Sequence, residues 1–140
     1  MGDVSDYGTL RLFNGTRSIS TDLIIGCSPL AGLYSYVDDN TSLNTIKSAL
    51  ELGCEVFDTA PHYGCGLSEQ RLGLALRECC HFSSAEYRIY TKVGRVMIPK
   101  EENPQELEID INNIPQTENC LFQNVIENVI PYYNYTTDGV

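Results

Sequence analysis

Three residues in this chain of 140 have the types and the spacing to move a proton: Asp58, Tyr63 and Lys92. Asp58 and Tyr63 stand in the run Val56-Phe57-Asp58-Thr59-Ala60-Pro61-His62-Tyr63-Gly64, and Lys92 follows in Tyr90-Thr91-Lys92-Val93-Gly94-Arg95. A free tyrosine ionises near pH 10, about three units too high for easy exchange at neutrality. A neighbouring ammonium favours the phenolate, and a carboxylate holds the ammonium in place. Such a trio serves as general acid and base at a carbonyl or hydroxyl carbon. The same three side chains can also make a plain salt bridge beside a core tyrosine, and spacing alone does not separate the two.

The trio works only if two strand ends lie side by side, and the surrounding pattern predicts that they do. Leu10, Leu12 and Phe13 lead into Asn14-Gly15, a strong hairpin signal, and Ile19 continues beyond it. Leu23-Ile24-Ile25-Gly26-Cys27 is a near-continuous apolar run of the kind parallel sheets bury, ending in the turn-prone Ser28-Pro29-Leu30-Ala31-Gly32. A helix follows, capped by Asn40 or Thr41, with Leu43, Ile46, Ala49 and Leu50 on one stripe and Gly53 as its terminator. Strand Cys54–Asp58 comes next. A second helix follows it, capped by Ser68 and carrying Glu69 in its first turn, with Leu72, Ala75, Leu76 and Cys79 facing inward. A third strand runs from Arg88 to Lys92. Strand, helix, strand, helix, strand with short connections predicts a parallel α/β fold. In a parallel barrel the strand ends open on one face, where active sites of such barrels lie.

Beyond Arg95 the pattern fades. Residues 101–140 carry 8 acidic side chains and no Lys or Arg, against 9 basic and 11 acidic in residues 1–100. The 96–130 stretch therefore reads as an acidic loop or insertion, broken by Pro99, Pro104 and Pro115, with a short apolar return at Val125-Ile126 and Val129-Ile130. The net charge of −10 argues against a nucleic-acid partner, which needs cations to neutralise phosphate. No apolar run reaches the roughly 18 residues that a membrane span needs. The first residues have neither the cationic nor the apolar region of a signal peptide, so a cytoplasmic location is expected. The six cysteines form no C-x-x-C pair and read as free thiols. His62 and His81 have no ligand-spaced cysteines, so no metal is expected.

The residues around the trio are similar to those of a known family. Phe57-Asp58-Thr59-Ala60-Pro61-x-Tyr63-Gly64-x-Gly66-x-Ser68-Glu69-x-x-Leu72-Gly73 and Thr91-Lys92-Val93-Gly94-Arg95 resemble the two early signatures of the aldo-keto reductases. The lead-in Gly26 to Tyr34 and the closing Tyr133-x-Tyr135-x-x-Asp138-Gly139-Val140 look most like the aldose 1-dehydrogenase branch. The resemblance implies a (β/α)8 TIM barrel that binds NADP or NAD and oxidises an aldose at C1 to a lactone, or reduces an aldehyde. It makes Tyr63 the proton-transferring residue, Lys92 the partner that favours its phenolate, and Asp58 the residue that orients Lys92. Gly26, Cys27 and Ser28 match the first-strand segment against the nicotinamide, with Asp58 beside them, and His62 stands at a substrate-facing position.

The family's catalytic histidine at the end of the fourth strand, and its grip on the pyrophosphate, have no counterpart before Val140. A barrel of this type takes about 250 residues. The expectation is therefore the N-terminal part of such a barrel, residues 1–140, truncated after about three β/α units. It would have uncovered apolar sheet edges prone to self-association. The alternative is a catalytically inactive fragment acting through association with another chain.

Overall fold

In the computed structural model, the apolar runs become the three strands of one parallel sheet. The structure describes residues 23–79, 87–102 and 121–137, and the backbone of 11–13 and 16–18. The strands are β3 (Ile24–Gly26), β4 (Val56–Asp58) and β5 (Arg88–Tyr90), in that spatial order. Before them, β1 (Arg11–Phe13) and β2 (Thr16–Ser18) pair antiparallel with Phe13 opposite Thr16, as the hairpin signal predicts, while Asn14-Gly15 itself lies outside the described residues. In the parallel sheet, Ile24, Val56 and Arg88 lie in one row and Gly26, Asp58 and Tyr90 in another. The three strands thus end level. The backbone that leaves them is laced together by Cys27 N–H to the Asp58 carbonyl and Thr59 N–H to the Tyr90 carbonyl, each 2.8 Å.

Two helices, α1 (Asp39–Glu51) and α2 (Leu67–Cys79), pack on one another and on the sheet. The expected stripes are the buried ones. Ile46 and Ala49 of α1 join Leu72, Ala75 and Leu76 of α2 around Phe57, with Cys27, Leu30 and Cys54 filling the space between. Leu43 and Leu50 are partly buried against the same cluster. Arg71 is 8% exposed, and the sequence pattern passed over it. It reaches from α2 to α1, where its Nε donates to Asp39 at 2.9 Å, and its Nη1 donates to the Leu30 carbonyl. A guanidinium with several donors can be buried here because each neighbouring element offers it an oxygen.

The cap of α1 lies earlier than expected. Asp38, not Asn40 or Thr41, holds the first turn, accepting from Thr41 N–H at 2.9 Å and from Thr41 Oγ1 at 2.7 Å. A carboxylate offers two oxygens, and Asp38 uses one for each bond. Gly53 follows the helix at φ 84, as its terminator role requires. The hydrogen bond from the Thr41 side chain, then that from its backbone, lowers the Asp38 pKa below the ordinary 3.8. A carboxyl with a lowered folded pKa contributes stability that is present above its unfolded pKa and is lost as pH falls through the folded value. The melting-temperature difference between wild type and Asp38→Ala should therefore be largest near neutral pH and should close below about pH 4. Thermal melts across that range read it directly; a difference that persists into acid would mean the carboxylate is not what caps α1.

The chain beyond Arg95 departs from the expected loop. Arg95–Pro99 forms β6 and Val129–Tyr133 forms β7, paired antiparallel from Arg95 opposite Tyr133 to Pro99 opposite Val129. The 96–130 stretch thus opens and closes in a ladder. Pro99 had been read as a break in the pattern, and Pro131 lies within β7. A two-stranded ladder has only edges, where a residue without N–H is tolerated. Most of the acidic segment, residues 103–120, lies outside the described residues, as do Cys80, His81 and Cys120.

On the sheet, Ile24 is 58% exposed, Ile89 45% and Tyr90 52%, with Val93 beyond the sheet at 63%. The uncovered apolar surface expected from the sequence is present among the described residues. No helix among them is long and apolar enough to cross a membrane.

Candidate active site

Level strand ends bring the outer two members of the trio, Asp58 and Lys92, into contact. Asp58 closes β4, and Lys92 stands two residues after β5. Lys92 Nζ donates to both carboxylate oxygens of Asp58, at 3.1 and 3.0 Å, and to the Thr59 carbonyl at 2.9 Å. The side chains are 50% and 38% exposed, so this pair adds at most about 1 kcal/mol to stability. Its effect is orientation. Partial desolvation pulls the Lys92 pKa down, but hydrogen bonding and charge from Asp58 and Tyr63 outweigh it and the net shift is upward. Lys92 is an ammonium throughout the neutral range.

Tyr63 completes the cluster, its ring centroid 5.0 Å from Lys92 Nζ. The loop that carries it is wound tightly between β4 and α2. Tyr63 N–H donates to the Ala60 carbonyl at 3.1 Å, and the Tyr63 carbonyl accepts from Ser68 N–H at 3.1 Å. Gly64, Cys65 and Gly66 all have positive φ, at 63, 54 and 94°. Two glycines in this left-handed stretch cost little, whereas Cys65 stores strain of about 1–3 kcal/mol, as residues beside functional loops often do. A Cβ on Gly64 would lie 2.6 Å from the Asn124 carbonyl oxygen and 2.7 Å from Ala31 Cβ. The glycine is needed for closeness as well as for its torsion.

Ser68 is the second departure at a helix start. It lies inside α2, fully buried, and is not its cap. Its hydroxyl donates to the Cys27 carbonyl at 2.7 Å and lies 3.0 Å from Thr59 Oγ1. A serine has one proton to give, so Thr59 must donate to Ser68. One side chain thereby ties α2 to the ends of β3 and β4. Glu69 in turn accepts from Thr91 Oγ1 at 2.7 Å, fixing the end of β5.

Of the residues matched to the nicotinamide segment, Gly26 is exposed, with open space where a Cβ would stand, and Ser28 is half-buried. Cys27 is different: it is 0% exposed and packs in the core. Burial, with repulsion from Asp58 second, pushes its thiol up to about 12. Its side chain is a core residue. Cys54 is likewise a buried free thiol. Among the described residues no cluster of metal-ligating side chains occurs.

His62 lies against Arg95, whose Nη1 is 2.5 Å from its Nδ1. Burial, then the Arg95 charge, lowers the His62 pKa below 6.5, so the imidazole is neutral at physiological pH. A late segment of the chain closes over this corner. Residues 121–126 dock through Gln123 N–H to the Gly32 carbonyl at 3.0 Å, Asn124 N–H to Ala31 at 3.3 Å and Ile126 N–H to Gly64 at 3.0 Å. Asn124 Oδ1 accepts from Val37 N–H at 3.0 Å. Phe122 then packs on Tyr63, ring centroids 5.6 Å apart, and edge-on to His62 at 6.0 Å. Sequence reasoning missed Phe122 and Asn124, since they follow an acidic segment with no periodicity. It missed Arg95 and Tyr133 as site residues although both stand in the quoted motifs.

The chain is similar to known proteins. The model of the aldo/keto reductase family matches residues 22–119. D-threo-aldose 1-dehydrogenase from a Pseudomonas sp is 35% identical over 86 residues, which are 61% of this chain and 25% of that protein. L-galactose dehydrogenase from Arabidopsis thaliana is 37% identical over 86 residues, 61% of this chain and 27% of that protein. Pyridoxal 4-dehydrogenase from Microbacterium luteolum is 39% identical over 87 residues, 62% and 24% respectively. The chain thus spans about a quarter of the length of the curated relatives it matches.

Proposed function

The chain belongs to the aldo/keto reductase family, and from that membership we propose that it supplies the first β/α units of an NAD(P)-dependent oxidoreductase built as a (β/α)8 barrel. The reaction we assign is oxidation of an aldose at C1 to its lactone, or reduction of an aldehyde in the opposite sense. The observation that carries it is the Lys92 ammonium, held by both oxygens of Asp58 and lying beside Tyr63 at the level ends of two parallel strands. The two aldose and galactose dehydrogenases among the relatives support a sugar substrate.

Each residue then has a distinct part. Tyr63 takes the proton from the substrate hydroxyl during oxidation and returns one to the carbonyl oxygen during reduction. Lys92 stabilises the phenolate that this leaves, and Asp58 keeps the ammonium in position. His62, with Tyr63, faces the substrate. The open backbone at Gly26, without a Cβ, fits a flat ring laid against the strand end, with Ser28 and Asp58 at its border. NAD or NADP, when bound there, supplies hydride exchange at the nicotinamide C4. The acidic 96–130 stretch is an insertion within this single domain.

The full-length protein, given aldoses with NAD or NADP and aldehydes with the reduced forms, should change the absorbance of the reduced nicotinamide. No turnover in either direction, together with no binding of either dinucleotide, would end the enzymatic reading. The exposed apolar side chains of Ile24, Ile89, Tyr90 and Val93 favour a second one, in which an inactive chain works by association. A protein without turnover that sediments with a partner bound through those residues would establish it.

A further inference from the structure

The 2.5 Å contact between Arg95 and His62 has a chemical consequence beyond the proton-transferring trio. A guanidinium donates hydrogen bonds and accepts none, so the His62 Nδ1 must present its lone pair and the ring proton must sit on Nε2. Arg95 is itself held in place. It stands directly opposite Tyr133 in the β6–β7 ladder, its Nη2 donates to the Tyr133 hydroxyl, and its guanidinium carbon lies 4.5 Å from the Tyr133 ring centroid. Phe122 meets the His62 ring edge-on from the docked 121–126 segment. Among the described residues nothing bonds Nε2. A donor of fixed tautomer, half-buried, next in sequence to Tyr63, is therefore left for a ligand oxygen.

We infer that Arg95, braced by Tyr133, is a positioning residue that sets His62 as a neutral Nε2–H donor, and that His62 offers that proton to a hydroxyl of the substrate. The inference rests on the proposed oxidoreductase function. It adds a specificity element supplied by the ladder that flanks the acidic segment. A site built to bond a hydroxyl discriminates against the substrate lacking it, because the donor is then left unpaired. Arg95 makes the choice sharper by removing the other tautomer, which would offer an acceptor.

The test uses the full-length protein and two readouts. Nitrogen NMR of the imidazole should show wild-type His62 as the Nε2–H tautomer, neutral below the ordinary value of 6.5. Arg95→Met should give mixed tautomers that titrate closer to that value. Tyr133→Phe, which removes only the brace and leaves both partners, should give a smaller shift in the same direction. In kinetics, wild type should favour a hydroxyaldehyde over its deoxy counterpart by about tenfold in kcat/KM, the worth of one hydrogen bond. His62→Leu should erase that preference, the loss falling on KM for the hydroxyaldehyde more than on KM for its deoxy counterpart. His62→Gln, which keeps an acceptor for Arg95 and a donor for substrate, should retain it. An Nδ1–H tautomer in wild type, or a preference untouched by His62→Leu, overturns the inference while leaving the oxidoreductase assignment standing. Absence of all turnover in wild type removes the substrate part together with that assignment, and the NMR result still decides whether Arg95 sets the tautomer.

Discussion

Tyr63→Phe in the full-length protein is expected to lower kcat by about 10²–10⁴-fold, in both aldose oxidation and aldehyde reduction. The substitution removes one oxygen and nothing else. The ring that packs on Phe122 at 5.6 Å remains, and so do the loop bonds through the backbone of residues 60–68, so melting temperature and dinucleotide affinity should stay near wild type. That separation matters, because a tyrosine serving only as packing would show the reverse pattern. If activity stayed within about tenfold of wild type, the proton would have to come from elsewhere. Asp58 and Lys92 would then be left as a surface ion pair with no chemical part.

The second large effect is on stability. Phe57→Ala should cost about 3–5 kcal/mol, the range for truncating a buried aromatic, out of a total of about 5–15 kcal/mol for a folded domain. Phe57 is 0% exposed and shares one core cluster with Ile46 of α1 and Leu72 and Leu76 of α2. It is also the residue immediately before Asp58, so the same side chain that anchors β4 fixes the direction in which the carboxylate leaves it. Chemical denaturation of the two proteins, compared at equal slope, reads the loss. A cost below about 1 kcal/mol would mean that the cluster repacks around the cavity and that β4 is anchored by its ladder bonds instead.

The elements that were legible in advance share one property: a period set by burial. Ile46 and Ala49, then Leu72, Ala75, Leu76 and Cys79, recur at helical spacing because one face of each helix meets the sheet, and all are buried. Asp58, Tyr63 and Lys92 were legible because strand ends place them, and strands are read from apolar runs. What escaped has no period. Arg71 looks like any surface arginine until the Leu30 carbonyl and Asp39 are brought to it. Ser68 stands where a cap belongs, yet the helix begins at Leu67 and the hydroxyl turns to Cys27 and Thr59. Cys27 was grouped with exposed Gly26 by its place in the chain, whereas the sheet turns its side chain into the core. Phe122 reaches Tyr63 from 59 positions away in sequence, through backbone bonds that no local pattern announces.

The β6–β7 ladder bears on how this protein can vary over evolutionary time. Pro99 opposite Val129, together with Lys100 N–H to the Asn128 carbonyl, joins the chain on either side of the acidic span, and Glu102 N–H to the Pro99 carbonyl turns it at the near end. Docking of residues 121–126 then begins afresh on its own bonds. Closing a longer loop between two joined ends costs only about 0.6 kcal/mol for each doubling of its length. Changes of length or charge between Glu102 and Leu121 are therefore expected to leave the described bonds of Arg95, His62 and Tyr63 in place. Length differences among orthologues should gather in that span and stop abruptly at its two anchors.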